Sequence, residues 1–337
     1  MARHILRSLP GLLATAILIG AATAMAISGA ASLFYEGWGQ PIPRVLGYLA
    51  PAVLLIVLGL IALRRPAPGG TLLLVAAAGA GAWWVRSRVA REVAPLDVLL
   101  ATALVTYAPI IVAALLFLLE ARHRRLLRAE GARARRGLLR RWREALLVAI
   151  PALAVAVLSA RQLPALLARH DDGQRGSRVI AGNGITLTWA PLGPGWNWQT
   201  PHSEYPSWHS LANYGDPPAE RCAYLNEDGS ALLAAPAGIW RMPTADEIAR
   251  SLTRGGENAE CAWDGRSHHS ACRTPPDKET PLWAPDQAPI YYWSSEGPDR
   301  ATAFAVNYTG GISTLPRARA NSAVGFRCVK AAGGPSR

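Results

Sequence analysis

The sequence predicts a multi-span α-helical membrane region followed by a compact α+β domain. Three observations predict it. The first half of the chain is a series of long apolar runs punctuated by arginine. Charge changes abruptly near residue 170: residues 1–170 hold 20 Arg, no Lys and 6 acidic residues, whereas 171–337 hold 15 basic and 17 acidic residues. All four cysteines and eight of the twelve tryptophans fall in the second half. The overall charge of +12 is therefore a property of the first half alone. Basic residues that flank apolar runs mark membrane topology, so nucleic acid is excluded as a partner and the lipid bilayer is expected as one.

A helix needs about 20 apolar residues to cross ~30 Å of hydrocarbon. Five runs approach that length: Gly11–Phe34, Val45–Leu63, Gly69–Val85, Val98–Leu119 and Ala145–Ala160. The third and fifth are short and draw on their flanks, which gives expected spans of 11–34, 45–63, 66–85, 98–119 and 145–163 in a membrane domain covering 1–170. No Asp, Glu, Lys, Arg or His lies within the five runs. Transporters and proton relays normally carry one, so the runs read as an anchor or an assembly surface. The stretch Ala76–Gly81 is small enough for close helix packing.

Arginine placement sets the orientation. Arg3 and Arg7, Arg64 and Arg65, and ten arginines between Arg122 and Arg143 belong to one set of loops, which should be cytoplasmic. An odd number of spans then puts the second half outside, beyond a polar linker at 171–180. Ala24-Met25-Ala26 resembles a signal-peptidase site, and cleavage there would leave that placement unchanged. An even cysteine count in such a compartment suggests disulfides; free buried thiols and zinc remain alternatives, although the spacing contains no CxxC.

In the second half, Asn183–Trp189 alternates and reads as an opening strand, and Ser207–Leu225 as helical stretches broken at Gly215-Asp216-Pro217-Pro218. A helix should start at Thr244, with Glu247 completing a capping box. Tyr291–Ser295, Ala301–Tyr308 and Ala323–Lys330 read as strands, with a turn at Gly310-Gly311.

Cys222, Trp240-Arg241-Met242-Pro243-Thr244-Ala245-Asp246-Glu247-Ile248, Tyr292-Trp293-Ser294-Ser295 and Val324-Gly325-Phe326-Arg327-Cys328 carry a resemblance. In their order they resemble the formylglycine-generating enzyme, or sulfatase-modifying factor, group of C-type-lectin-like domains. The closer likeness is to the bacterial branch with WRLPT-x-x-EL, YWSS and a terminal RCV. The resemblance covers residues 181–331 and implies a C-type-lectin-like fold there. It implies a Cys222–Cys328 disulfide and leaves Cys261 with Cys272 to clip the loop between them. Trp240 and Trp293 are then core aromatics, and Arg241 and Arg327 anchors of buried turns.

The resemblance also implies a copper-binding cysteine pair before the terminal GFRC motif. Arg273–Arg327 contains no cysteine, so no catalytic residue carries over. The expectation is a non-catalytic ligand- or partner-binding module displayed by a multi-pass anchor in a bacterial cytoplasmic membrane. A divergent sulfatase-modifying-type enzyme and a structural subunit of an envelope assembly are the alternatives. The expected binding residues are Trp196, Trp198, Trp208, Tyr308, Arg317, Arg319 and Asn321, on the Trp-rich loop and on the segment between the last strands. The expected partner is an extracytoplasmic protein or glycan. No cofactor is expected. Calcium, which relatives of this fold bind, stays open without a ligand cluster, and Asp264, His268 and His269 form the one metal-like grouping.

Overall fold

The computed structural model describes residues 2–37, 42–89, 95–129, 137–191, 206–287, 289–320 and 323–332. The chain divides into two compact units. One comprises Met1–Phe34 and Ile42–Leu163; the other comprises Tyr35–Pro41 and Pro164–Arg337.

The first unit is helical: α1 (Ala2–Ser32, continued by a π-helical turn Leu33–Gly37), α2 (Ile42–Arg64), α3 (Pro66–Val89), α4 (Leu96–Ala129) and α5 (Gly137–Leu167). Among the described residues, these five are long and apolar enough to cross a membrane. Ala14, Leu18, Ala22, Ala26 and Ala30 recur every four residues on α1 and form its buried stripe. Many large side chains elsewhere in the unit stay exposed, Leu104 at 68% and Val105 at 77% among them, as hydrocarbon contact would require.

The tightest helix contacts lie outside Ala76–Gly81, although Gly81 packs on the Tyr107 ring of α4, where a Cβ would stand 3.2 Å away. A Cβ on Gly29 would lie 2.2 Å from the Tyr48 carbonyl oxygen, and one on Gly69 would lie 2.2 Å from Ala62 Cα. The same atom on Gly79 would meet open space. Small residues therefore bring α1 against α2, and α2 against α3, near other turns of the helices.

Helices α4 and α5 run past the apolar limits and carry polar groups into the unit. Glu120, one residue beyond the expected fourth span, is only 5% exposed and accepts a 2.9 Å bond from Arg124 Nε. Arg143 donates to Thr15 Oγ1 at 2.9 Å from Nε and to the Gly11 carbonyl from Nη2. A Cβ on Gly11 would stand 3.0 Å from the Glu120 carboxyl carbon and 3.1 Å from Arg143 Nη2, so the glycine makes room for both. Apolar-run length could not register these groups, because helices continue where hydropathy stops.

The second unit is a mixed α/β assembly of small sheets. Antiparallel strands β1 (Arg178–Ala181), β2 (Thr186–Trp189) and β9 (Val329–Ala331) form a sheet in the order β1-β2-β9. Among the described residues, two short helices follow β2 in sequence, α6 (Trp208–Ala212) and α7 (Ala245–Arg250), separated by a 3-10 turn at Arg221–Tyr224. A two-stranded ribbon pairs β3 (Thr253–Arg254) with β4 (Glu257–Asn258). The largest sheet has the order β7-β6-β5-β8, from β5 (Tyr291–Trp293), β6 (Thr302–Asn307), β7 (Ile312–Pro316) and β8 (Val324–Gly325).

One local feature follows from residue type and two from strand pairing. Thr244 caps α7 by accepting from Glu247 N, while Glu247 accepts from Thr244 N, a complete capping box. The opening strand is a hairpin: the expected linker 171–180 ends inside β1, which becomes a strand by pairing Arg178–Ala181 with Trp189–Thr186. The expected last strand is divided. Its start, β8, runs parallel to β5, and its end, β9, pairs with β2, so the chain changes sheets at Phe326-Arg327-Cys328.

Arg327 fills that crossing, 1% exposed. Its Nε donates to the Ala190 carbonyl at 2.7 Å, and Nη1 donates to the carbonyls of Pro281 and Leu282 at 2.8 Å each. Burial pulls its pKa down to about 10. Around it the core is aromatic: Trp189, Trp240, Trp283 and Trp293 are at most 2% exposed, and Trp283 stacks on Tyr292 with centroids 3.7 Å apart. Two disulfides close the unit, Cys222–Cys328 and Cys261–Cys272, and no cysteine is free.

Candidate ligand-facing site

The open end of the β6–β7 hairpin meets helix α6, and the sequence explains why. Ser207 caps α6 by accepting from Ser210 N, which turns the next residue, Trp208, toward the large sheet. Trp208 Nε1 donates to the Ser294 carbonyl at 2.8 Å, and its ring packs partly against the core. His209 N donates to the Arg317 carbonyl at 3.1 Å, fastening α6 to the end of β7.

Arg317 lies over the Trp208 ring, its guanidinium carbon 3.8 Å from the ring centroid. Its Nε donates to the Thr302 carbonyl at 2.9 Å, and its backbone N donates to the Ala301 carbonyl at 2.9 Å. The guanidinium plane is thus fixed by a ring on one side and a carbonyl at one edge. Arg319 closes the following turn by donating its N–H to the Pro316 carbonyl at 2.9 Å, and its side chain is exposed. Asp299 accepts 2.7 Å bonds from the N–H groups of Ala301 and Thr302 and shapes the opposite lip.

The structure thus brings together Trp208 and Arg317, with Arg319 two residues further along the chain. Trp196, Trp198 and Asn321 lie outside the described residues. Tyr308 is elsewhere: it is 3% exposed, and its hydroxyl donates to the Tyr35 carbonyl at 2.8 Å. Tyr35 packs against it with ring centroids 5.3 Å apart and planes tilted by 36°, Arg169 covers its ring at 5.2 Å, and burial raises its phenol pKa, keeping it neutral. A buried phenol of this kind offers no face to a ligand. No local pattern could announce that, because the residue covering it is Tyr35.

Asp264 is occupied within its own turn. It accepts from Arg266 N at 2.9 Å and from Ser267 N and Oγ at 2.8 and 2.6 Å, and these bonds hold its pKa at about 2. His268 and His269 are exposed, and their backbones hydrogen-bond the β6–β7 turn: Ile312 N donates to the His268 carbonyl at 2.8 Å. Among the described residues, no three His, Cys, Asp or Glu side chains gather as a metal site.

A second polar center has no counterpart in the sequence reading. Arg169 pairs with Asp277 at 2.8 Å, Thr280 N donates to the His170 carbonyl at 3.2 Å, and Asp172 N donates to Thr280 Oγ1 at 3.1 Å. Beside them Lys278 is 2% exposed and donates Nζ to the Gln287 carbonyl. Burial, aided by the charge on Arg169, lowers its pKa to about 7. The expected linker is therefore laced to 277–286, and the signal was dispersed over residues a hundred positions apart.

Comparison of the chain with protein-family models, with curated proteins and with solved structures finds no match in any of the three.

Proposed function

We propose that the chain is a multi-pass protein of a bacterial cytoplasmic membrane whose C-terminal unit is an extracytoplasmic, non-catalytic binding module. The unit is assigned the C-type-lectin-like fold of the sulfatase-modifying-factor group. Supporting that assignment, its first and last strands flank one strand, β2, and Cys222 is tied to Cys328. All four cysteines are engaged in disulfides, which favors binding over copper-thiolate oxidation. Tyr35, just beyond α1, belongs to the same compact unit as the C-terminal residues. This supports a topology in which the loop after the first span and the C-terminal unit share the outer side.

The observation that carries the binding reading is the Trp208–Arg317 pair, 3.8 Å apart on a lip built by α6 and the β6–β7 hairpin. Aromatic and arginine side chains held in place by a rigid scaffold are the usual anchors of recognition. A photo-cross-linking residue at Ala318, in the full chain in native membranes, tests it. The expected result is a discrete adduct that Arg319→Glu abolishes, with unfolding temperature unchanged. Equal labeling in wild type and Arg319→Glu would overturn the reading.

A further inference from the structure

We infer that this lip receives the carboxylates of an acidic polypeptide segment, an inference that rests on the binding reading above and narrows it to a class of ligand. Three arginines, Arg300, Arg317 and Arg319, lie in the segments at the open end of the hairpin. Arg317 stands opposite Ala301, to whose carbonyl its N–H donates, so Arg300 is the residue before the paired one, and Arg319 lies two residues beyond Arg317. Arg300 and Arg319 are exposed and Arg317 is half-buried. Among the described residues none of the three makes an ion pair, whereas Arg169, Arg175, Arg178, Arg241, Arg250, Arg254 and Arg273 of the same unit all do. The neighboring carboxylate, Asp299, is taken up by backbone N–H groups.

The geometry also favors one class of anion carrier. With Nε on the Thr302 carbonyl and the guanidinium over Trp208, Nη1 and Nη2 of Arg317 have no hydrogen-bond partner among the described residues and form the fork that matches a carboxylate. A saccharide would stack its ring on an aromatic face. Here one face of Trp208 lies under Arg317, the ring packs partly against the core, and Nε1 is bound to Ser294. What remains is a set of guanidinium groups in neighboring segments, suited to Asp and Glu side chains on an extended chain.

The test uses the purified full chain in phosphatidylcholine nanodiscs and a fluorescein-labeled, Glu-rich peptide, with a Gln-rich peptide of equal length as control. Saturable binding of the Glu-rich peptide is expected, weakened about tenfold by Arg317→Ala and about tenfold by Arg319→Ala, as for loss of a charge-assisted contact. Arg317→Lys should recover only part of the loss, because a point charge lacks the fork. Arg122→Ala with Arg125→Ala, exposed at the end of α4, should leave binding unchanged and so separates this site from the basic loop. Equal affinity in wild type, Arg317→Ala and Arg319→Ala overturns the inference. So does displacement of the peptide by polygalacturonate or by phosphatidylglycerol vesicles with a dependence on the same arginines. If the Ala318 adduct is lost in Arg319→Glu while the peptide does not bind, the binding reading stands and the acidic class falls. If the adduct is insensitive to Arg319→Glu, the binding reading itself falls.

Discussion

Asn307 Nδ2 donates a 2.6 Å hydrogen bond to the Tyr35 hydroxyl across 272 residues of sequence. With the Tyr308 hydroxyl on the Tyr35 carbonyl, it binds a residue that follows α1 into the C-terminal unit. Tyr35→Phe should therefore destabilize that unit by about 1 kcal/mol, the net worth of one hydrogen bond. Tyr35→Ala should cost roughly 3 kcal/mol or more by also emptying the space against Tyr308. Hydrogen exchange of peptides spanning 304–312 in the full chain checks both; unchanged protection in Tyr35→Ala would show that the clamp contributes nothing.

The two disulfides should differ in weight. Cys222–Cys328 closes a separation of 106 residues and Cys261–Cys272 one of 11. In the chain-entropy picture these are worth about 5 and about 3 kcal/mol. Cys328→Ser should accordingly lower the unfolding temperature of the C-terminal unit more than Cys272→Ser. Peptide mapping without reduction should recover these two pairs and no other.

Lys278 makes stability depend on pH in an unusual direction. Its pKa falls from 10.5 to about 7 on folding, so the unfolded chain binds the extra proton between those values. The destabilization is full below about pH 7 and fades as pH rises toward 10.5, so this group makes the protein more stable with increasing pH. Lys278→Met should stabilize the unit on the order of 3–5 kcal/mol near pH 7 and progressively less toward pH 10. Thermal unfolding of both proteins across that range measures the difference, and a gap that does not change with pH would contradict it.

The Trp208–Arg317 contact should be energetically coupled. In a double-mutant cycle, Trp208→Ala and Arg317→Ala together should cost less stability than the sum of the two alone, by about 0.5–2 kcal/mol. Strict additivity would mean that the stack at 3.8 Å is only juxtaposition.

For topology, a reporter active only after export should work when fused after Arg337 and be silent when fused near Gly131. The opposite pattern would invert the proposed orientation.

Features set by neighbors in sequence were legible before any coordinates. The apolar runs needed only their length, and the α7 start needed only Thr244 and Glu247 three residues apart. Trp240, Trp293 and Arg327 sit in the interior where the motif resemblance put them. Features set by distant partners were not legible. Arg178–Ala181 is too short to alternate visibly and is a strand because β2 lies beside it. The division of the last strand depends on two different sheets receiving its halves. Tyr308 ends the expected strand at the edge of the expected binding segment, yet Tyr35 and Arg169 cover it. For the same reason the candidate site was half visible: Trp208 and Arg317 both stood out, but not that they touch.

The sheet β1-β2-β9 has one further implication, for how such a unit travels between proteins. Its first and last strands flank the same middle strand, so the polypeptide enters and leaves about 10 Å apart, two strand spacings. A segment whose ends meet in this way can be inserted into a host loop without prying the host open. Here the helical carrier also supplies Tyr35, bonded to Asn307 and Tyr308, so an exchange of carrier would have to replace that clamp as well.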